Sequence, residues 1–201
     1  MDNTFDDIIY RPNTPLIVSA YTVDSHLGDY YKRASFRLAN SLLKFDLPFV
    51  IFPLKGAKNW LKNCALKPTV ILYCLNKWDR PILWIDIDGE VFKFPSLFEN
   101  FDAEIGLCSY GGHWLTGTLY IKPSAKHFIA KWKEITTDKE ADEVTLLHLY
   151  RKQNNNPKLK LIPRVYNEVI HQNTDLTKVV IGHYIRPDVA PCRNVKAVPL
   201  E

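Results

Sequence analysis

The segment Pro81-Ile82-Leu83-Trp84-Ile85-Asp86-Ile87-Asp88-Gly89 constrains this chain more than any other. Its unbroken apolar run is what a strand covered on both faces requires, and such strands are the parallel strands of α/β sheets. The run ends in two carboxylates, Asp86 and Asp88, and open α/β sheets place their ligands at the carboxyl ends of strands. Residues two apart at a strand end point to the same side, so the pair is expected to share one hard cation, Mg²⁺ or Mn²⁺. A cation there would act as a Lewis acid on a diphosphate leaving group, whose charge grows as its bond breaks.

The remaining chain supplies a frame for that strand. At 201 residues it is long enough for one domain, expected over 1–201 with a loosely packed leader at 1–14 and tail at 184–201. Apolar runs predict strands at 16–21, 48–54, 103–108, 115–121, 159–163 and 179–183, and near-helical spacing predicts helices at 27–45, 124–134 and 140–152. Lys67-Pro68 opens a further helix, proline being favoured in a first turn. The expected fold is α/β: a mostly parallel sheet flanked by helices, with right-handed crossovers and an antiparallel strand around 115–121.

Composition excludes more than it selects. The net charge of +4 is spread thinly, which suits a slightly basic enzyme and favours a nucleic-acid partner only weakly. Cys64, Cys74, Cys108 and Cys192 form no CxxC pair, so a reducing compartment is the simpler expectation. The N-terminus is acidic where a secretory signal would be basic and then apolar, and no apolar run approaches the roughly 20 residues of a membrane span; a cytoplasmic location is expected. There is no GxGxxG and no GxxxxGK[ST], and His26, His113, His127, His148 and His171 lack paired ligand spacing. Trp60, Trp84, Trp114 and Trp132 read as mostly core, Trp114 being the best exception.

These residues, taken in order, resemble the GT-A-type glycosyltransferases, within a bacterial and phage branch of nucleotide-diphospho-sugar transferases. The resemblance is carried by Ala20-Tyr21-Thr22, by Trp60-Leu61-Lys62-Asn63-Cys64 ahead of Lys67-Pro68, by PILWIDIDGEV, and by Pro95 with Leu97-Phe98. It continues through Thr116-Gly117-Thr118-Leu119-Tyr120, Trp132, Asp142-Glu143 before Leu146-Leu147, and Ile162-Pro163 before Tyr166-Asn167. It implies a GT-A-like (Rossmann-like) fold and a hexosyl- or pentosyltransferase using a nucleotide-sugar donor, a UDP-sugar first among them, with Mn²⁺ or Mg²⁺.

Site residues follow from the same resemblance. Asp86 and Asp88, flanking Ile87, match the metal-binding DxD, and His183 matches the histidine that completes the metal site, the other reading being a core histidine. Ala20, Tyr21 and Thr22 would receive the base and ribose. Lys67 would approach the donor or simply be solvated at a helix start. Thr116 and Gly117 would lie against the donor sugar, the glycine leaving room for its ring or marking a bulge. Asp142 and Glu143 would face the acceptor, one as general base or sugar-hydroxyl ligand, or serve as helix N-terminal carboxylates. The sequence departs from the pattern at Gly89, where alanine is more common, and at Glu143, where glutamine is frequent. The acceptor stays open among a diffusible glycan, a lipopolysaccharide precursor, a protein and hydroxymethylated phage DNA, the last in a host cytoplasm. Two other readings stand beside this one: a haloacid-dehalogenase-like phosphatase, with Asp86 as nucleophile, and an inactive GT-A scaffold that only binds.

Overall fold

A computed structural model describes residues 13–23, 29–56 and 59–184. The expectations for most of the leader, for 27–28, His26 and Cys192, and for 185–201 therefore lie outside the described residues. In chain order the elements are β1 (Leu16–Thr22), α1 (Tyr30–Leu43), β2 (Phe49–Leu54), α2 (Trp60–Cys64), α3 (Lys67–Trp78), β3 (Ile82–Ile85), β4 (Gly89–Val91), β5 (Ile105–Tyr110), β6 (His113–Ile121), α4 (Lys126–Ile135), α5 (Asp142–Lys152), β7 (Leu159–Leu161), β8 (Glu168–Ile170) and β9 (Ile181–Tyr184).

Among the described residues one sheet has six strands in the order β2-β1-β3-β6-β5-β7, and a smaller one has three, β4-β9-β8. In the large sheet β1 is parallel to β2 and β3, and β5 is parallel to β7. Only β6 is reversed, running antiparallel to both β3 and β5, as the sequence led us to expect for this segment. The period-two alternation divides the side chains into two cores. Leu16, Val18, Ile82, Trp84, Ile105, Leu107, Leu119 and Ile121 pack under α3, α4 and α5, together with Ile71, Phe128 and Trp132. Ile17, Leu83, Ile85 and Tyr120 face the other way, against Leu38 and Leu42 of α1 and Ile181 of β9. Both faces of the central strands are dry, which is why β3 reads as continuously apolar.

Element directions bring distant residues to one end. A helix that leads back into a parallel strand starts at the strands' carboxyl end, so Lys67 at the start of α3 lies near the end of β3. The reversed β6 pairs Thr118 with Ile85, which leaves Thr116 and Gly117 alongside Asp86. β9 pairs antiparallel with β4, setting His183 opposite Gly89.

The structure corrects two expectations here. β3 does not continue through the acidic pair: it ends at Ile85, and residues 86–88 turn, closed by Gly89 N–H donating to the Asp86 carbonyl at 2.8 Å. Tyr184, assigned to the loose tail, is the last residue of β9, and Thr14, assigned to the leader, is buried. The five-residue α2 and the short β8 were not expected; both are too brief to leave a periodic signal.

Gly89 explains why alanine does not stand after the acidic pair. A Cβ there would come within 2.5 Å of Ile85 Cγ2 and 2.9 Å of the Asp86 carbonyl oxygen, a backbone atom that cannot step aside without opening the turn. Gly89→Ala is therefore expected to cost about 1–3 kcal/mol of stability, the usual price of overpacking; urea denaturation measures it, and an unchanged midpoint would show that the turn has slack.

Candidate active site

A cavity of about 520 Å³ opens over the carboxyl ends of β1 and β3. It is lined by Ala20, Tyr21, Thr22, Lys67, Asp86, Ile87, Asp88, Thr116, Gly117, Asp142, Glu143 and His183, so every residue singled out from the sequence reaches the same space.

Lys67 organises one wall. It is buried, and its Nζ lies 2.8 Å from Asp142 Oδ2 and 3.0 Å from Asp86 Oδ1, with the Thr116 hydroxyl at 3.1 Å and the Thr116 carbonyl at 3.2 Å. The Thr116 hydroxyl in turn donates a hydrogen bond to Asp142 Oδ2 at 2.9 Å. Burial works against the ammonium, but the Asp142 and Asp86 carboxylates overcome it and hold the lysine above its ordinary value. A solvated helix-start lysine, the other reading of this residue, is thereby set aside. Strand parity puts Trp84 on the same face as Asp86, and its indole N–H donates to Asp86 Oδ1 at 2.6 Å.

The second wall belongs to the small sheet. His183 is buried, with Nδ1 3.2 Å from Asp88 Oδ1 and Nε2 2.9 Å from Thr118 Oγ1. Asn167 Oδ1 accepts the Thr118 backbone N–H at 2.6 Å. Gly117 lies where β6 falls out of register with β5, Leu115 opposing Cys108 and Leu119 opposing Leu107. A Cβ on it would stand 3.0 Å from Asn167 Oδ1 and 3.1 Å from His183 Cε1. The missing side chain thus makes room for Asn167 and His183, where the sequence suggested room for a sugar ring.

Because the chain turns after Ile85, the two acids have different partners: Asp86 is engaged by Lys67 and Trp84, Asp88 by His183. Among the described residues no three His, Cys, Asp or Glu side chains are gathered as ready ligands of one ion. The donor chemistry nevertheless suits a hard divalent cation. Asp88 Oδ1 and His183 Nδ1, 3.2 Å apart, stand about as far from each other as neighbouring ligands of an octahedral Mg²⁺ or Mn²⁺. The Thr118 contact at Nε2 leaves Nδ1, which faces Asp88 Oδ1, as the nitrogen that would ligate, the outer-shell support that metal-binding imidazoles use.

Asp142 and Glu143, adjacent in sequence, differ in availability. Asp142 is buried and committed to Lys67 and Thr116, while its carbonyl accepts from Trp132 Nε1 at 3.2 Å and Thr145 Oγ1 at 2.9 Å. Glu143 is half-buried on the cavity, its carboxyl raised by that burial and by the neighbouring Asp142 charge. Cys64 also lines the space, but burial and the Asp142 charge push its thiol up to about 12, so it stays a neutral thiol.

Sequence reasoning missed several contributors. Trp84 lies in the core as expected, but its indole also reaches Asp86, a contact that its parity with that residue announces. Arg37 of α1, whose Nη2 donates to the Asp88 carbonyl at 3.2 Å, gives no sequence signal, being 51 residues away. Trp60, also assigned to the core, is 47% exposed and lines the cavity.

A mostly parallel sheet with one reversed strand, an acidic turn after its central strand and a second small sheet delivering a histidine defines the GT-A-type fold of glycosyltransferases. No protein-family model matches the chain, and no curated protein matches it in sequence. Among solved structures it is similar to a glycosyltransferase involved in the glycosylation of the major capsid of PBCV-1, with a TM-score of 0.62 and 11% identity over 84% of this chain and 92% of that one. It is also similar to the apo form of glycosyltransferase GlyE from Streptococcus pneumoniae TIGR4, with a TM-score of 0.58 and 14% identity over 87% of this chain. The match spans 55% of the GlyE chain, about half its length. These likenesses establish the fold. No helix among the described residues is long and apolar enough to cross a membrane.

Lys67→Met would leave the Asp142 and Asp86 carboxylates without their cation. Breaking a buried pair in this way costs about 3–5 kcal/mol, so the variant should unfold at markedly lower urea concentration than the parent at neutral pH. An unchanged midpoint would mean that the cluster contributes nothing to stability.

Proposed function

We propose that this chain transfers a sugar from a nucleotide-diphosphate-sugar donor to an acceptor hydroxyl, with a divalent cation held by Asp88, His183 and Asp86. The observation that carries this reading is the Asp88–His183 pair beside Asp86, at the carboxyl end of the central strand of a GT-A-type fold. Charge supports the cation. The described lining has four carboxylates, Asp86, Asp88, Asp142 and Glu143, against the single ammonium of Lys67, and a diphosphate entering that field needs a compensating positive charge. The bound cation, Mn²⁺ or Mg²⁺, would supply Lewis-acid stabilisation of the departing diphosphate.

The chain's own residues perform the other tasks. Tyr21 offers an aromatic face and Thr22 a hydroxyl at the end of β1, where a base and ribose would lie; a UDP-sugar is the first donor to try. Lys67 holds Asp142 and Asp86 in place, and Asp142, whose Oδ2 already accepts from Lys67 and Thr116, is a positioning group. Glu143 is the base. The acceptor oxygen bonds to the anomeric carbon as the bond from that carbon to the diphosphate oxygen breaks, the electron pair leaving with the diphosphate. The hydroxyl proton passes to the Glu143 carboxylate, whose raised affinity for protons fits it for that role.

The phosphatase reading requires Asp86 to be free to attack phosphorus, whereas here Lys67 and Trp84 hold it. The inactive-scaffold reading is separated from transfer by turnover itself.

The test is a donor screen: purified protein, Mn²⁺ or Mg²⁺ and a panel of nucleotide-sugars, following nucleoside diphosphate release with and without chelator. Metal-dependent release from one donor, abolished in Asp88→Asn, is the expected result; binding of a nucleoside diphosphate without any release would favour the inactive scaffold. The pH profile should place the acid limb of the rate above the ordinary carboxylate range. Glu143 acts deprotonated, its carboxyl titrates high, and the rate must therefore fall as pH drops through that raised value. Glu143→Gln should lower kcat by 10² or more and flatten the limb; a limb that survives the substitution would assign it to another group.

A further inference from the structure

Resting on the proposed reading of Asp88 as a metal ligand, we infer that Arg37 of α1 is a positioning residue for the metal site. It touches neither the ion nor the substrate and acts from behind, through the Asp88 main chain. Main-chain bonds hold both ends of the turn at 86–88: Asp86 N–H donates to the Gly117 carbonyl at 2.8 Å, and Tyr184 N–H donates to the Asp88 carbonyl at 3.0 Å. Arg37 adds a side-chain donor, its Nη2 reaching that same Asp88 carbonyl at 3.2 Å. A carbonyl oxygen has two lone pairs, and here both are engaged.

The helix period places the arginine once the fold is known. Arg37 and Ser41 are one turn apart, so they share a flank of α1 beside the core residues Leu38 and Leu42. The Ser41 hydroxyl accepts the Val91 N–H of β4 at 3.0 Å, which ties that flank to the small sheet. The guanidinium itself is clamped. It lies 3.8 Å from the centre of the Tyr184 ring, and the side chains of Arg37 and Glu90 are each only 17% exposed. The Tyr184 hydroxyl donates to Glu90 Oε2 at 2.8 Å, and the same oxygen stands 3.8 Å from Arg37 Nε. A planar guanidinium can stack on a ring and donate along its edge at once, which an ammonium cannot.

Charge and position predict opposite signs for the loss of this residue. A guanidinium near a cation site works against the cation by repulsion, and Glu90 offsets that charge, leaving the arginine to act by its hydrogen bond and its packing. If Arg37 acted by charge, removing it would tighten cation binding. If it positions Asp88, removing it loosens binding, because the carboxylate is no longer held where it meets His183 Nδ1 at 3.2 Å. A purely structural role would lower stability and leave the affinity of the folded protein unchanged.

The experiment titrates Mn²⁺ into the full chain, alone and with the nucleoside diphosphate released in the donor screen, for the parent, Arg37→Met and Arg37→Lys. Free Mn²⁺ is read from its electron paramagnetic resonance signal, a protein-free titration is subtracted, and circular dichroism checks that each variant is folded at the titration temperature. Both variants should raise the Mn²⁺ Kd about tenfold or more, and the Mn²⁺ concentration giving half-maximal nucleoside diphosphate release should rise by the same factor. Should Arg37→Met fail to fold, Arg37→Lys, which keeps the charge and the aliphatic stem, decides. An unchanged or lower Kd in either folded variant would overturn the inference and leave the transferase reading standing. A parent that binds no Mn²⁺ under either condition would overturn the metal site itself, and this inference with it.

Discussion

One buried ammonium sets the terms for this site. Lys67 lies between Asp86 and Asp142, and without it two carboxylates would face each other across a poorly solvated space with their charges uncompensated. The cluster joins three elements that are remote in the chain: the start of α3, the turn after β3 and the start of α5. Thr116 from β6 closes it, its hydroxyl accepting from the lysine and donating to Asp142. Such an arrangement is costly to assemble and leaves little freedom once formed. On the proposed reading its consequence is a division of labour between adjacent acids: Asp142 serves structure, and Glu143 is left to meet a ligand.

Where the residues gather was legible in the sequence; how they pair was not. Continuous apolar runs at β1 and β3 indicated a sheet dry on both faces, and the end of the β3 run placed Asp86 and Asp88 at the ligand side; Tyr21 and Lys67 were added by the family resemblance alone. Pairing depends on local geometry that periodicity does not encode. Extending the strand period through Asp88 placed both acids on one side, whereas the turn at 86–88 gives each its own partners. Gly89 marks that turn, and its significance was missed because the glycine was compared with an expected alanine and not with the space available to a Cβ.

Gly117 teaches the same point from the other direction. A glycine in a strand indicates close approach without saying of what, and here the approaching groups are Asn167 and His183, from the far end of the chain. Trp60 escaped notice for a different reason. Tryptophan is mostly buried on average, and a five-residue helix has no apolar face by which to recognise that this one faces water.

The two sides of the cavity are supported to very different degrees, and that asymmetry bears on how such a site can work. Behind Asp88, its carbonyl accepts Tyr184 N–H at 3.0 Å and Arg37 Nη2 at 3.2 Å. The Arg37 guanidinium stacks over the Tyr184 ring at 3.8 Å, and the Tyr184 hydroxyl donates to Glu90 at 2.8 Å. Burial and the Glu90 contact raise that phenol to about 12, so it keeps its donor proton across the physiological range. The Asp88 main chain is thus fixed from behind by α1, β4 and β9 while its carboxylate faces His183. On the opposite side α2 buries none of its residues, and among its contacts is the exposed Lys62–Asp138 pair, a weak link in water. Rigid support belongs where a small error in ligand position is costly, and a loosely held wall belongs where a bulky molecule must enter and leave. On the proposed reading, the donor diphosphate meets the rigid side and the acceptor the pliant one, so acceptor choice can change through α2 without disturbing the residues around Asp88.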